Sequence, residues 1–127
     1  MNTQPDIREY TAQARSTETF GRVLGSARNH HFIIDGPIQN GCPGEEVTPG
    51  ELFLGGIASC GVELVQVIAK EQNLPLTGVK TTIQATLNRS QAVHQAFTVF
   101  NTLRLQFRLK GLTSEQGHQV VEAFKGR

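Results

Sequence analysis

The chain has 127 residues, a net charge of +1 and 38% hydrophobic residues, a composition that fits one soluble domain spanning residues 1–127. No long run of like charge points to nucleic acid or to a membrane as a partner. The N-terminus lacks the apolar core of a signal peptide, so the expected compartment is the cytoplasm, where two cysteines are more often free or redox-active than paired.

Three short strands and a loop are predicted in the first part of the chain. The strands are expected over residues 7–14, 22–27 and 29–35, with turn-forming residues between them. The loop "DGPIQNGCPGEEVTPG" follows, 16 residues rich in glycine and proline. Loops of this length without regular structure are often functional.

A long helix is predicted from about residue 49 to about residue 72. Thr48 can cap it, Pro49 suits its first position, and Glu51 can complete a capping box. The polar residues of the helix form one narrow stripe, and the others are apolar or small, so the pattern predicts burial on most sides. Because the stripe interrupts the apolar run, the pattern favours a buried helix of a soluble protein over a membrane span.

Two alternating segments, residues 79–87 and 97–111, predict a β-hairpin with one covered face and one solvated face. A last helix is predicted after Thr113, with Gln116 in the capping-box position. Its apolar side is formed by Val120, Val121 and Phe124. The predicted order is β-β-β-α-β-β-α, which defines an α+β domain.

The segment "TPGELFLGGIASCGVELV" resembles the OsmC/Ohr family of small bacterial redox proteins. In that family Pro, Glu and Leu open a central helix, and a reactive cysteine follows eleven positions after the Pro, as Cys60 follows Pro49 here. The preceding "ARNHHFIIDGP" and the order of elements are also similar to the family. The resemblance implies an OsmC-like fold, with antiparallel sheets around the long helix. It also implies an intertwined homodimer with active sites at its interface.

The resemblance further implies a thiol-dependent peroxidase that reduces organic hydroperoxides, uses an external thiol reductant and serves in oxidative or osmotic stress. Cys60 would be the reactive residue, although its residue pattern alone also fits a buried, inert cysteine. Glycine weakens a helix by about 1 kcal/mol relative to alanine, so adjacent Gly55 and Gly56 need a reason. Gly56, one turn before Cys60, would admit a substrate or another backbone. Phe53, Gly56 and Ile57 form the predicted substrate pocket.

A peroxide-reducing thiolate needs a cation, for which Arg28 is the first choice and Arg22 the second. Each arginine could instead be a solvated strand residue. Glu51 could orient that arginine, as a glutamate directly after the Pro does in the Ohr branch; here Gly50 occupies that position. Glu51 and Cys60 are about half a turn out of phase at about 3.6 residues per turn, which favours a plain helix cap.

The peroxidases of the family carry a second cysteine in a Cys-Pro pair after the last helix. This sequence ends at "EAFKGR", about where the pair would begin, so the protein either lacks the pair or extends further. Cys42 is the candidate resolving thiol in its place. Its loop can span about 20 Å, and Cys60 lies about 16 Å along the helix from Pro49. Cys42 could equally be an incidental loop cysteine.

No metal and no cofactor are predicted. His30 and His31 are adjacent, so they point to opposite faces of a strand, and with Cys42 and Cys60 they match no standard zinc spacing. A second function stays open, that of a non-catalytic protein with the same fold and an interface pocket for a small apolar ligand. Absence of the second cysteine would favour that alternative.

Overall fold

A computed structural model describes residues 6–94 and 98–126 as an α+β protein with two antiparallel sheets. The predicted class and order of elements are confirmed. The elements are β1 Gln13–Ser16, β2 Arg22–Ala27, β3 His30–Asp35, α1 Pro49–Glu71, β4 Gly78–Thr86, β5 Thr102–Lys110 and α2 Ser114–Phe124. The chain forms two compact units, one ending at Leu52 and one starting at Phe53.

The first unit is built on a three-stranded antiparallel sheet in the order β1–β2–β3. A tight turn joins β2 and β3, because Ala27 pairs with His30 and only two residues lie between them. Arg28 takes a positive φ of 54° in that turn. The following loop contains one short 3-10 helix, Ile38–Asn40, within the stretch predicted to lack regular structure.

The first strand is shorter than predicted. It was expected over residues 7–14, but pairing with β2 starts at Gln13, opposite Ser26. In this register residues before 12 would pair beyond the end of β2, where the chain has already turned back into β3. Ile7 is 72% exposed and Tyr10 is 88% exposed, so their apolar side chains lack the neighbouring strand that the pattern assumed.

The second unit is organised around the hairpin β4–β5 and the two helices. Odd-numbered residues of both strands face inward as predicted, and Thr81 pairs with Phe107. Val65 of α1, Ile68 of α1 and Val120 of α2 form the fully buried centre. Partly buried apolar residues surround this centre: Leu74, Leu76, Val79, Phe107, Leu109, Leu112, Ala123 and Phe124.

The second helix begins and packs as predicted. Thr113 Oγ1 accepts a hydrogen bond from the Gln116 backbone at 3.2 Å, and Gln116 Oε1 accepts one from the Thr113 backbone at 3.0 Å. These two bonds complete the capping box. The Phe124 ring meets Phe107 edge-on, with 5.1 Å between ring centroids, so α2 is fixed to the inner face of the hairpin.

The last strand begins later than predicted, at Thr102; residues 98–101 are not strand, and Phe97 lies outside the described residues. Asn101 explains the change. Its Oδ1 accepts from the Asn88 backbone at 2.8 Å, and its Nδ2 donates to the Gln91 carbonyl at 2.7 Å. The Asn101 side chain therefore closes the loop between the strands, and the ladder stops there.

The long helix α1 is buried over its second half only. Gly61, Val65, Ile68 and Ala69 are buried, whereas Phe53 is 58% exposed. The predicted enclosure on most sides is wrong for the single chain, because the core of the second unit meets only the later turns. The helix is long and apolar enough to cross a membrane, a test that core helices of soluble proteins also pass.

Candidate functional site

The start of α1 is a capping box, as predicted. Glu51 Oε1 accepts from the backbone N–H of Thr48 at 3.0 Å and from its hydroxyl at 2.9 Å. The Thr48 hydroxyl accepts from the Glu51 backbone at 3.3 Å. The backbone and side-chain hydrogen bonds from Thr48 lower the pKa of Glu51. This carboxylate therefore serves the helix cap in the structure.

Cys60 lies near the middle of α1 and its residue is exposed. Seven residues, about two turns or about 10 Å, separate it from Phe53, which therefore lies on the same side of the helix. Gly56 is one turn away on nearly the same side, whereas Glu51 points away from Cys60. The structure thus gives Cys60 an open approach along one face of α1.

The two adjacent glycines have no packing partner in this chain. Among the described residues, no atom lies within 4 Å of where a Cβ of Gly55 or Gly56 would be. Gly61 differs, since its Cβ would lie 3.2 Å from the Phe107 ring. The hairpin therefore explains Gly61, while Gly56 leaves an uncovered position on the Cys60 side of α1 and Gly55 leaves one on a different side of the helix.

An apolar depression of about 430 Å³ opens at Phe53. The Phe53 ring stacks on Phe100, with 6.1 Å between centroids and 20° between planes. The lining residues are Phe53, Leu87, Thr98, Val99, Phe100 and Leu103. Of the predicted pocket residues only Phe53 lines it; Gly56 and Ile57 do not. Sequence reasoning missed the others, although their apolar character at the open end of a hairpin was the available signal.

Arg22 forms an ion pair with the buried carboxylate of Asp35. Its Nε lies 2.8 Å from Asp35 Oδ1, and its second guanidinium nitrogen lies 2.8 Å from Asp35 Oδ2. Asp35 is fully buried and also accepts the backbone N–H groups of Glu45 and Glu46 at 3.1 and 3.0 Å. The bond to Arg22 holds the pKa of Asp35 far below its ordinary value and raises that of Arg22. Arg22 is thus a structural cation, and sequence reasoning did not identify Asp35.

Arg28 occupies the exposed turn between β2 and β3. Within the described part of the chain its side chain makes no hydrogen bond and no ion pair. Arg28 belongs to the first unit and Cys60 to the second. Of the two candidate arginines, Arg28 is therefore the one whose charge has no partner in the described structure.

Cys42 is held in the loop before α1. A Cβ on Gly21 or on Gly36 would approach its sulfur so closely that it would clash. The Gly36 backbone donates to the Gly21 carbonyl at 2.8 Å, which keeps the two glycines together. Cys42 therefore sits in a cradle of two glycines and is partly buried.

The sequence of this chain matches one family model, described as OsmC-like protein, over residues 42–126. The chain belongs to the OsmC-like protein family. No curated protein matches the chain at a significant level.

Solved structures share the OsmC-like fold. An OsmC-like protein from Mycoplasma pneumoniae has a TM-score of 0.80 and 11% identity, and the match covers 94% of this chain and 82% of that one. The organic hydroperoxide resistance protein OsmC from Legionella pneumophila has a TM-score of 0.69 and 20% identity, with 93% and 82% covered. An organic hydroperoxide resistance protein from Elizabethkingia anophelis has a TM-score of 0.71 and 15% identity, with 94% and 82% covered.

Proposed function

We propose that this OsmC-like protein reduces organic hydroperoxides through Cys60 in a cytoplasmic defence against peroxide stress. The observation that carries the proposal is that Cys60, an exposed residue, lies on the same side of α1 as Phe53, where an apolar depression opens. Family membership supports it, as do structural neighbours named organic hydroperoxide resistance proteins. The organic part of the substrate would lie against the depression, with the peroxide near the sulfur.

The reaction is a two-electron transfer from sulfur to the peroxide. The Cys60 thiolate attacks one peroxide oxygen, so an S–O bond forms and the O–O bond breaks. The alkoxide leaves, takes a proton and becomes an alcohol, while Cys60 becomes a sulfenic acid. A thiol reductant then condenses with the sulfenic acid, which releases water and forms a disulfide. A second thiol reduces that disulfide and restores Cys60.

Arg28 is the proposed activating cation. A guanidinium can stabilise the thiolate and donate hydrogen bonds to peroxide oxygens. Arg22 is less suited, since Asp35 already occupies both nitrogens of its fork. Cys42 is the proposed resolving thiol when no small dithiol is present.

A homodimer is part of the proposal. The early turns of α1 expose Phe53 and leave Gly56 uncovered, so an apolar helix face beside Cys60 lacks a partner in one chain. A second copy would cover that face and narrow the approach to the thiol. Burial of apolar surface of this kind stabilises obligate dimers.

Peroxide consumption tests the function. Cumene hydroperoxide and hydrogen peroxide are offered to the protein with a dithiol reductant, and a dimedone-type reagent traps sulfenic acid after one equivalent of peroxide. We expect cumene hydroperoxide to be preferred, with the adduct on Cys60. Cys60→Ser should lose turnover by about a thousandfold or more, as expected when a nucleophile is removed.

Cys42→Ser is the matched control for this experiment. A dithiol can reduce the sulfenic acid without a resolving residue, so Cys42→Ser should keep turnover with dithiol and turn over more slowly than wild type with a monothiol. Labelling on Cys42 alone, or equal turnover in Cys60→Ser and wild type, would contradict the assignment.

The apolar depression favours one alternative, a non-catalytic protein that binds a small apolar ligand. Its lining is formed by aromatic and aliphatic side chains with one threonine, Thr98. If the protein binds an apolar fluorescent probe competitively with cumene hydroperoxide but does not consume the peroxide, the binding function replaces the enzyme.

A further inference from the structure

The acidic residues of the chain are unevenly distributed. All 11 of them lie either at or before Glu71 or at and beyond Glu115, so residues 72–114 contain none. The same 43 residues contain five of the 12 lysines and arginines. They are Lys80, Arg89, Arg104, Arg108 and Lys110. The net charge of the whole chain is near neutral because acidic residues elsewhere balance the cations of this basic segment.

The hairpin β4–β5 collects four of these cations on one surface. Apart from Gly78, the even-numbered residues of both strands face away from the core and are exposed. In the register of the hairpin Lys80 lies opposite Arg108, Gln84 opposite Arg104, and Gly78 opposite Lys110. We call this surface the outer face; its side chains are Lys80, Thr82, Gln84, Thr86, Thr102, Arg104, Gln106, Arg108 and Lys110.

The cations of the outer face are unpaired. Within residues 6–94 and 98–126, none of Lys80, Arg104, Arg108 and Lys110 makes an ion pair or a hydrogen bond through its side chain. Lys80 and Arg108 are like charges at directly opposite positions, an arrangement that destabilises a sheet. The sequence thus places four unpaired charges on one surface, at a cost in stability, with no acidic neighbour in either strand.

We propose that the outer face is a docking surface for an acidic, extended protein segment. Alternate residues of a strand are about 6.8 Å apart, so an extended chain with carboxylates at every second position matches the spacing of Arg104, Gln106, Arg108 and Lys110. Arginine binds carboxylates with two parallel hydrogen bonds. The threonine and glutamine side chains between the cations can bond to polar groups of the same segment.

Other polyanions fit the outer face less well. It carries no aromatic side chain, so it lacks the stacking platform on which single-stranded nucleic acids bind. It carries no large apolar side chain that would enter a lipid bilayer. Because the inner face packs on α1 and α2 through Phe107 and Leu109, the hairpin presents only one surface and cannot insert as a free ribbon into a DNA groove.

Binding of a labelled peptide with alternating glutamate and serine tests the proposal, with fluorescence anisotropy as the measurement. We expect saturable binding to the full chain that weakens as salt is added. Changing Lys80, Arg104, Arg108 and Lys110 to Gln should raise the Kd by about tenfold or more, as expected when several charge-assisted hydrogen bonds are lost.

The matched control changes four exposed cations elsewhere to Gln, namely Arg8, Arg15, Lys70 and Lys125. Both variants fall from +1 to −3 in net charge, so a general charge effect would weaken both equally and overturn the proposal. Retained binding in the control variant supports it. Absence of peptide binding by wild type, or tighter binding of duplex DNA or of phosphatidylserine vesicles than of the peptide, also overturns it. Far-ultraviolet circular dichroism verifies that both variants are folded.

Discussion

Asp35 is a single carboxylate that joins three parts of the first unit. It binds Arg22 from the neighbouring strand and two backbone N–H groups from the loop that leads to α1. A buried carboxylate is tolerated when its oxygens are satisfied in this way. The loop containing Cys42 is therefore anchored to the sheet by one side chain.

Replacing Asp35 with Asn should destabilise the protein at neutral pH and change its response to acid. We expect Tm at pH 7 to fall by roughly 10 °C, because Arg22 loses its buried partner. Since folding depresses the pKa of Asp35, its contribution is present above the unfolded pKa of about 3.9 and is lost as pH falls below that value.

Thermal unfolding of both proteins from pH 7 down to acid measures this effect. The difference in Tm between wild type and Asp35→Asn should narrow as the pH drops through about 4. A difference that stays constant over this range would show that the carboxylate charge does not account for the stabilisation.

Arg28 and Arg22 should behave differently when each is replaced by Met. In a Cys42→Ser background, Arg28→Met should slow alkylation of Cys60 by iodoacetamide at pH 7 by about tenfold, the effect of losing about 1.4 kcal/mol of thiolate stabilisation. Arg22→Met should instead lower Tm, because it leaves Asp35 buried without its partner. If alkylation of Cys60 is slower in Arg22→Met and unchanged in Arg28→Met, then Arg22 and not Arg28 is the activating cation.

The roles of single residues were only partly predictable from the sequence. The cap formed by Thr48 and Glu51 was predictable, because both residues lie within one turn and need no distant partner. The partner of Arg22 was not, because it lies 13 residues away and depends on the pairing of β2 with β3. Hydrogen bonds between residues close in sequence can thus be predicted from the sequence. Deciding which of the two arginines is already paired requires the register of the strands.

At two helical glycines, the atoms packed against the helix determine whether a larger side chain stabilises or destabilises the protein. A Cβ on Gly117 of α2 would make only an ordinary contact with Leu109 at 3.7 Å, whereas one on Gly61 of α1 would lie 3.2 Å from Phe107. Gly117→Ala should raise the free energy of unfolding by about 0.5–1 kcal/mol, since glycine is costly inside helices. Gly61→Val should lower it by about 1–3 kcal/mol through overpacking.

Urea denaturation of the two glycine variants measures both changes. Because the two substitutions enlarge a helical glycine in the same chain, they control for each other. A loss of stability in Gly117→Ala, or none in Gly61→Val, would contradict the packing of the hairpin against its helices.

The outer face of the hairpin predicts a stabilising substitution. Lys80→Thr removes one of two like charges at opposite positions and introduces a residue that favours strands. We expect the free energy of unfolding to rise by about 0.2–1 kcal/mol, measured by urea denaturation at low salt. Lys110→Thr, opposite Gly78, is the control and should change the free energy of unfolding less. An equal gain in both variants would show that repulsion between Lys80 and Arg108 does not account for the effect.

The sequence predicted which helices and strands are present more accurately than it predicted their first and last residues. Alternation identified the hairpin strands and their inward residues, because period-two patterns reflect one covered face. The same alternation extended β1 back to residue 7 and β5 back to residue 97, since a pattern does not show where a partner strand ends. The turn after Ala27 and the side-chain bonds of Asn101 set those limits.

For the whole molecule we predict a homodimer in which the Leu52–Ala69 part of α1 lies at the interface. Sedimentation equilibrium at micromolar concentration should give twice the mass of the chain. Gly56→Leu should weaken the dimer and leave the single chain folded, because the added side chain meets open space in the described structure. A folded wild-type monomer at that concentration would refute the prediction.

The fold as a whole was accessible from the sequence, and the site was accessible only in outline. A family motif of one helix, with Cys60 eleven residues after Pro49, led to the OsmC-like fold that the family match and the solved structures confirm. The apolar depression was not foreseen. It combines Phe53 with residues more than 30 positions later in the chain, and such a meeting depends on tertiary packing.

Because Cys42 is partly buried between Gly21 and Gly36, the rate at which its thiol reacts depends on how often the loop that contains it opens. Because Cys42 is partly buried and its sulfur lies close to where a Cβ of Gly21 or Gly36 would be, a reagent should label it faster whenever the loop opens. If Cys42 resolves the sulfenic acid of Cys60, the same opening sets an upper limit on the rate of that resolving step. At saturating peroxide, turnover through Cys42 would then be limited by the opening of this loop.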